Sequence, residues 1–126
     1  MITITKLEPF KNDKRGLAFD FELRDSNYIV ALHRNKGSIS GLHYHKGACK
    51  SKSPEIFYLA KGKIKLVVKD MKSNIQEEHI IEENTKYEIP AMIYHEMHAL
   101  TDIILIEFIC EKDDYKSDTV KVFPNK

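Results

Sequence analysis

His43 and His45 stand one residue apart in Gly-Leu-His-Tyr-His-Lys-Gly, Glu55 and Gly62 follow, and His95 lies five residues beyond Pro90. Alternate residues of a strand point to one face, roughly 6.5–7 Å apart, so the two imidazoles can converge on a single atom. With Glu55 and His95 they form a donor set suited to a divalent ion such as Fe(II), Mn(II), Ni(II), Cu(II) or Zn(II). Positions would remain for water or substrate. The same residues without metal form an acid/base cluster, because neutral imidazole near physiological pH can take or give a proton. A carboxylate among histidines favours the metal, since a pure proton relay has less use for it.

The elements that must bring these residues together read as short strands. Residues 1–6 alternate Ile and Thr, 17–23 (Leu-Ala-Phe-Asp-Phe-Glu-Leu) alternate apolar and polar, and 28–33 are β-branched and apolar. Residues 38–45 follow the turn signal Asn35-Lys36-Gly37. Residues 55–59 and 63–69 flank Lys61-Gly62, which predicts a hairpin turn. Segments 75–82, 86–89, 93–100 and 102–109 continue the pattern, and 119–123 add a last edge strand. No stretch of helical length has a 3.6-residue apolar period. About ten short strands at this spacing predict an all-β sandwich or barrel, with residues 1–126 forming one domain. Polar residues on its inner face need partners or a ligand, because lone burial is costly.

Composition narrows the classes of function. A formal net charge of +1 provides no global field for nucleic acid or an anionic membrane surface. The longest apolar run, near Ile103, is far shorter than the ~20 residues of a membrane span. The first residues do not read as a signal peptide. Only two cysteines, Cys49 and Cys110, are present. A disulfide framework is not expected, and the reduced cytoplasm is the expected compartment.

Residues 41–62 resemble the first motif of the cupins, in which His-x-His is followed by a Glu and, beyond it, a Gly. Pro90-Ala-Met-Ile-Tyr-His95 resembles the second. The gap between His45 and Glu55 exceeds the usual three or four residues, so an insertion at 46–54 must be accommodated. Met92 stands where the second motif usually has glycine. The resemblance implies a double-stranded β-helix, or jelly roll, with His43, His45, Glu55 and His95 pointing into the barrel mouth. Gly41-Leu-His-Tyr is similar to the 3,5-epimerases of deoxythymidine-diphosphate sugars, which implies that His43 is a catalytic base. His43-Tyr-His45-Lys46 and the run from Ile89 to Met97 are similar to the sugar-nucleotide 3,4-ketoisomerases, which are thought to shuttle protons with the paired histidines. Lys112-Asp-Asp-Tyr115 is similar to the acidic-aromatic tail of that group. Ser40 replaces an expected arginine, and the ketoisomerases usually lack an acid at the position of Glu55.

Aromatic and basic residues complete the candidate set. Tyr44, Tyr58 and Tyr94 flank the ligands and are candidate sugar contacts, while Arg34 and Lys46 are candidate diphosphate contacts. Lys36, Lys50 and Lys52 belong to the same basic loops, which solvation alone would also explain. Cys49 reads as a loop residue and Cys110 as core. The resulting expectation is a cytoplasmic isomerase or epimerase acting on a sugar or sugar-nucleotide carbonyl, paired as a homodimer through apolar edge strands. Two other classes use the same residues: a metal-dependent oxygenase or lyase, and a non-catalytic cupin that binds a small ligand.

Overall fold

A computed structural model describes residues 1–24, 26–52, 54–110 and 118–122. Lys112-Asp-Asp-Tyr115 and the end of the last predicted strand at Phe123 lie outside them. The strands are β1 (Thr3–Lys6), β2 (Lys11–Asp13), β3 (Gly16–Ala18), β4 (Tyr28–Arg34), β5 (Ile39–His45), β6 (Glu55–Lys61), β7 (Ile64–Asp70), β8 (Gln76–Ile81), β9 (Thr85–Ile89), β10 (Ile93–Ala99), β11 (Ile103–Ile109) and β12 (Thr119–Lys121). Among the described residues a single 3-10 turn, Lys50–Lys52, interrupts them. Among the described residues no helix is long and apolar enough to cross a membrane.

Ten strands form two five-stranded antiparallel sheets, ordered β1-β9-β6-β11-β4 and β12-β5-β10-β7-β8. Alternation decides which side chains fill the space between them. Phe57 and Leu59 of β6, Tyr87 and Ile89 of β9 and Leu105 of β11 meet Leu66 and Val68 of β7 and Met97 of β10 in one buried cluster. This apolar cluster leaves a polar end, where β5, β10, β6 and β11 carry histidines and carboxylates on the same inward rows.

Two expectations are corrected here. The Lys61-Gly62 turn does not close a hairpin: β6 pairs with β9 and β11, whereas β7 pairs with β10 and β8. The turn instead carries the chain from one sheet to the other. Residues 17–23 are not one strand, because pairing ends at Ala18. The chain then crosses the outside of the first sheet, where the Phe21 ring lies 5.1 Å from Tyr58 and 5.6 Å from Phe108.

Candidate active site

The site begins with a kink in β5. Gly41 and Leu42 have φ of +93° and +59°, in the left-handed region, and the pairing of β10 with β5 shifts register between His95 and Glu96. A bulge of this kind re-aims the following side chains. His43 then faces His95 directly across the ladder. At the start of β10, Met92 holds φ +64° and donates its N–H to the His45 carbonyl at 2.7 Å. The residue standing in the expected glycine position thus adopts the backbone that glycine favours.

Four side chains converge. One donor atom from each of His43, His45, Glu55 and His95 lies within 4.8 Å of the others. The ring centroids of His43 lie 4.8 Å from His45 and 4.7 Å from His95. His45, Glu55 and His95 are buried, and His43 is half-buried. The expected meeting of these four residues therefore occurs in the structure.

The hydrogen bonds show how the rings are held. His95 Nδ1 lies 3.2 Å from the Ile93 carbonyl. A carbonyl only accepts, so Nδ1 carries the hydrogen and Nε2 presents a lone pair. That lone pair faces Glu55 Oε1 at 3.3 Å. His45 Nε2 faces the same oxygen at 3.1 Å, and its Nδ1 meets the Thr119 hydroxyl at 3.1 Å. These contacts are within ion-pair range but lack hydrogen-bond geometry. His43 Nδ1, His45 Nε2, Glu55 Oε1 and His95 Nε2 are all buried with no hydrogen-bond partner. Electron-rich atoms aimed at one point call for a proton or a cation between them, and the donor set fits a divalent ion.

Protonation follows the same geometry. Burial, then the charge of His95, pulls His43 down to about 3, with Glu55 opposing. Burial likewise lowers His95. Both are neutral near pH 7. Burial would raise Glu55, but the His95 and His45 imidazoles and the Lys52 ammonium overcome it and hold it below the ordinary carboxylate range.

Sequence reasoning missed the groups behind Glu55. Lys52, a loop cation that could equally meet a diphosphate or solvent by its sequence, is only 3% exposed. Its ammonium lies 3.4 Å from Glu55 Oε2 and pairs closely with Glu107 Oε2. Burial lowers Lys52, yet the two carboxylates outweigh it and raise it, so it stays charged. Burial and then Glu55 push Glu107 up to about 7 against the pull of Lys52. Glu107 was legible: it shares the inward row of Leu105 and Ile109 in an otherwise apolar strand. Lys52 was not, because no periodicity marks residues 46–54.

A cavity of about 700 Å³ covers the cluster, a size typical of small-molecule sites. It opens between β4 and β12, edge strands of the two sheets. Tyr28, Val30, Leu32 and Arg34 line one side, Ser40, Thr119 and Lys121 the other, and Phe57, Met97 and Ile109 the apolar floor. Arg34 lies on the cavity wall, with its Nε donating to Ser40 Oγ at 3.3 Å. The other candidate substrate contacts lie off this cavity. Tyr44, Tyr58 and Tyr94 each neighbour an inward residue, so alternation turns them outward, and none lines the cavity. Tyr58 donates to Asn84 Oδ1 at 2.7 Å and Tyr94 to Glu96 Oε2 at 2.6 Å. Lys46 is exposed and off the cavity.

The insertion is anchored from below by Asp118, whose side chain is fully buried. Its carboxylate accepts the backbone N–H of Lys46 (3.1 Å), Ala48 (3.2 Å) and Cys49 (3.0 Å). Burial raises Asp118, but these bonds prevail and lower it. The linkage signs can be worked out. His43, depressed from 6.5 to about 3, contributes stability that is lost as pH falls below about 6.5. Glu107, raised from 4.5 to about 7, acts oppositely between those values. The two offset one another down to pH 4.5, below which the Glu107 contribution is complete and no longer changes. Asp118, lowered from 3.8, then adds its own loss as pH falls through its folded value. Urea midpoints are therefore expected to change little between pH 7 and 5 and to fall steeply below 4.5. Asp118→Asn should cost about 2 kcal/mol at pH 7 and make the acid limb shallower. An unchanged acid limb in that variant counts against this role of Asp118.

No family model and no curated protein matches the sequence. Solved structures do match. The dTDP-4-dehydrorhamnose 3,5-epimerase from Sulfolobus tokodaii superposes with TM-score 0.76 at 23% identity, over 99% of this chain and 82% of that one. A 3,4-ketoisomerase from Thermoanaerobacterium thermosaccharolyticum, in complex with TDP-4-keto-6-deoxyglucose, gives TM-score 0.77 at 16% identity over 95% of this chain and 86% of that one. The chain has the jelly-roll fold of these proteins. A third solved structure, a 3'-monoepimerase from Streptomyces bikiniensis in complex with dTDP-quinovose, gives TM-score 0.77 at 15% identity over 98% of this chain and 70% of that one. This fold places the His-x-His pair on β5 and His95 on β10, neighbouring strands of one sheet. Glu55 reaches the same centre from the facing sheet.

Proposed function

We propose that this cupin isomerises or epimerises a sugar-nucleotide carbonyl compound. The observation that carries the reading is His43, a neutral imidazole that is the one half-buried member of the cluster and lines the cavity. Its fold is shared with proteins described as sugar-nucleotide epimerases and ketoisomerases. His43 takes the proton from the carbon beside the carbonyl, leaving an enediolate. Returning a proton to the opposite face of that carbon inverts it. Returning it to the neighbouring carbon, with proton exchange between the oxygens, moves the carbonyl. Arg34 and Lys121, at the two edges of the cavity, suit the diphosphate.

His45, Glu55 and His95 are the residues left to hold a divalent ion. A nitrogen bound to metal has no lone pair for a proton, so His43 as base stands outside the ligand set in which its sequence had placed it. Such an ion would supply Lewis-acid polarisation of the carbonyl. Incubation with TDP-4-keto-6-deoxyglucose in D2O tests the reading. Deuterium is expected at a carbon next to the carbonyl, seen by NMR. No incorporation into this or related keto-sugar nucleotides would count against it.

A second reading rests on the four partnerless donor atoms. With His43 also bound, they form a His3Glu centre suited to an iron-dependent oxygenase. Stoichiometric iron with oxygen uptake and no deuterium exchange would select it. The edge strand β1 is exposed along its length and includes Ile4, which supports a homodimer. Sedimentation at twice the 14.7 kDa chain mass is expected, and a monomer at micromolar concentration would reject pairing.

A further inference from the structure

We propose that the 46–54 insertion supplies a positioning residue, Lys52, which orients the Glu55 carboxylate for binding a cation. The inference rests on the cation-holding role just assigned to Glu55. The two oxygens of this carboxylate have different surroundings. Oε1 faces His45 Nε2 and His95 Nε2 at 3.1 and 3.3 Å. Oε2 lies on the other side, 3.4 Å from Lys52 Nζ. Glu107, one inward position from Leu105 and Ile109, pairs with the same ammonium. Glu107, Lys52 and Glu55 therefore form a chain of polar contacts, with the ammonium at its centre, that ends on the oxygen facing the imidazoles.

This arrangement is built. The Lys52 N–H donates to the Cys49 carbonyl at 3.1 Å, closing the 3-10 turn. The Cys49 N–H is in turn held by Asp118 Oδ2 at 3.0 Å. Ser51, beside Lys52, accepts the Cys110 N–H at 2.6 Å at the end of β11. The long gap between the paired histidines and Glu55 thus folds inward and delivers an ammonium behind the carboxylate. Residues that orient a ligand from behind typically change metal affinity by about 10- to 100-fold when removed.

The test is titration of the full chain with Co(II), whose visible d–d absorption reports both affinity and ligand geometry. Lys52→Met is expected to weaken Co(II) binding by at least about tenfold and to alter the spectrum. Lys52→Arg, which keeps the cation, should restore most of both. Glu107→Gln should weaken binding in the same direction by a smaller factor. Circular dichroism of each variant before cobalt addition shows whether it is folded, and if Lys52→Met is not, Glu107→Gln decides. Wild-type affinity and spectrum in the deciding variant would overturn the role of Lys52 while leaving the cation centre intact. Absence of Co(II) binding to the wild-type chain would overturn both, leaving the sugar-nucleotide reading to be judged by deuterium exchange.

Discussion

His43→Asn is expected to slow deuterium incorporation next to the keto group of TDP-4-keto-6-deoxyglucose by at least about 100-fold, since positioned general bases contribute 10²–10⁴. Asparagine occupies a similar volume but cannot accept the proton. The half-buried position limits the structural cost, and binding of the nucleotide sugar, read by thermal shift, should persist. Burial and the neighbouring imidazoles keep His43 neutral down to about pH 3, so the rate should not titrate with this residue between pH 6 and 8. His98→Asn is the control. His98 points away from the cavity and pairs with Glu96 at 2.7 Å, and its removal should leave the exchange rate unchanged. Equal exchange rates in wild type and His43→Asn would refute the base assignment.

Gly41→Ala is expected to destabilise the protein by at least about 2 kcal/mol, because backbone strain and overpacking each cost about 1–3 kcal/mol. A methyl group at Gly41 would lie 2.7 Å from the His95 carbonyl oxygen and 3.3 Å from its ring Cδ2. The first contact is with backbone and cannot be relieved by a rotamer change. Relief requires β5 and β10 to separate where His43 and His95 face each other, so cation affinity should fall as well. Gly37→Ala isolates the effect. Gly37 has a similar φ of +89°, with nothing within 4 Å of the added methyl. It bears the backbone cost alone. Urea denaturation of both variants measures the difference, and equal losses would show that the approach to His95 carries no strain.

Much of the site is visible in the sequence because strand geometry is local. A period of two puts His43 and His45 on one face, and the same alternation turns Tyr44, Tyr58 and Tyr94, all three candidate sugar contacts by their neighbours alone, away from the cavity. The same rule marks Glu107, a carboxylate on the core-facing row of β11. Tyr28, Thr119 and Lys121 gave no such signal, because edge-strand residues line a cavity only once the facing sheet is in place.

Lys52 shows where local reasoning stops. A lysine in a polar loop is ordinarily solvated, and its burial here depends on Glu55, three residues on, and on Glu107, brought in from β11. Turn chemistry has the same limit: Lys61-Gly62 specifies a tight reversal, but whether the next strand pairs or crosses depends on which edges are already occupied.

The amino-acid order alone determined the all-β class, the donor types and their shared faces, since each follows from neighbours a few residues apart. The tertiary structure decided that the two histidine-bearing strands lie side by side, that Glu55 meets them from the opposite sheet, and that an inserted lysine stands behind it. Those choices come from burying apolar rows between two sheets, an energy that depends on all the strands together and is encoded by no single segment.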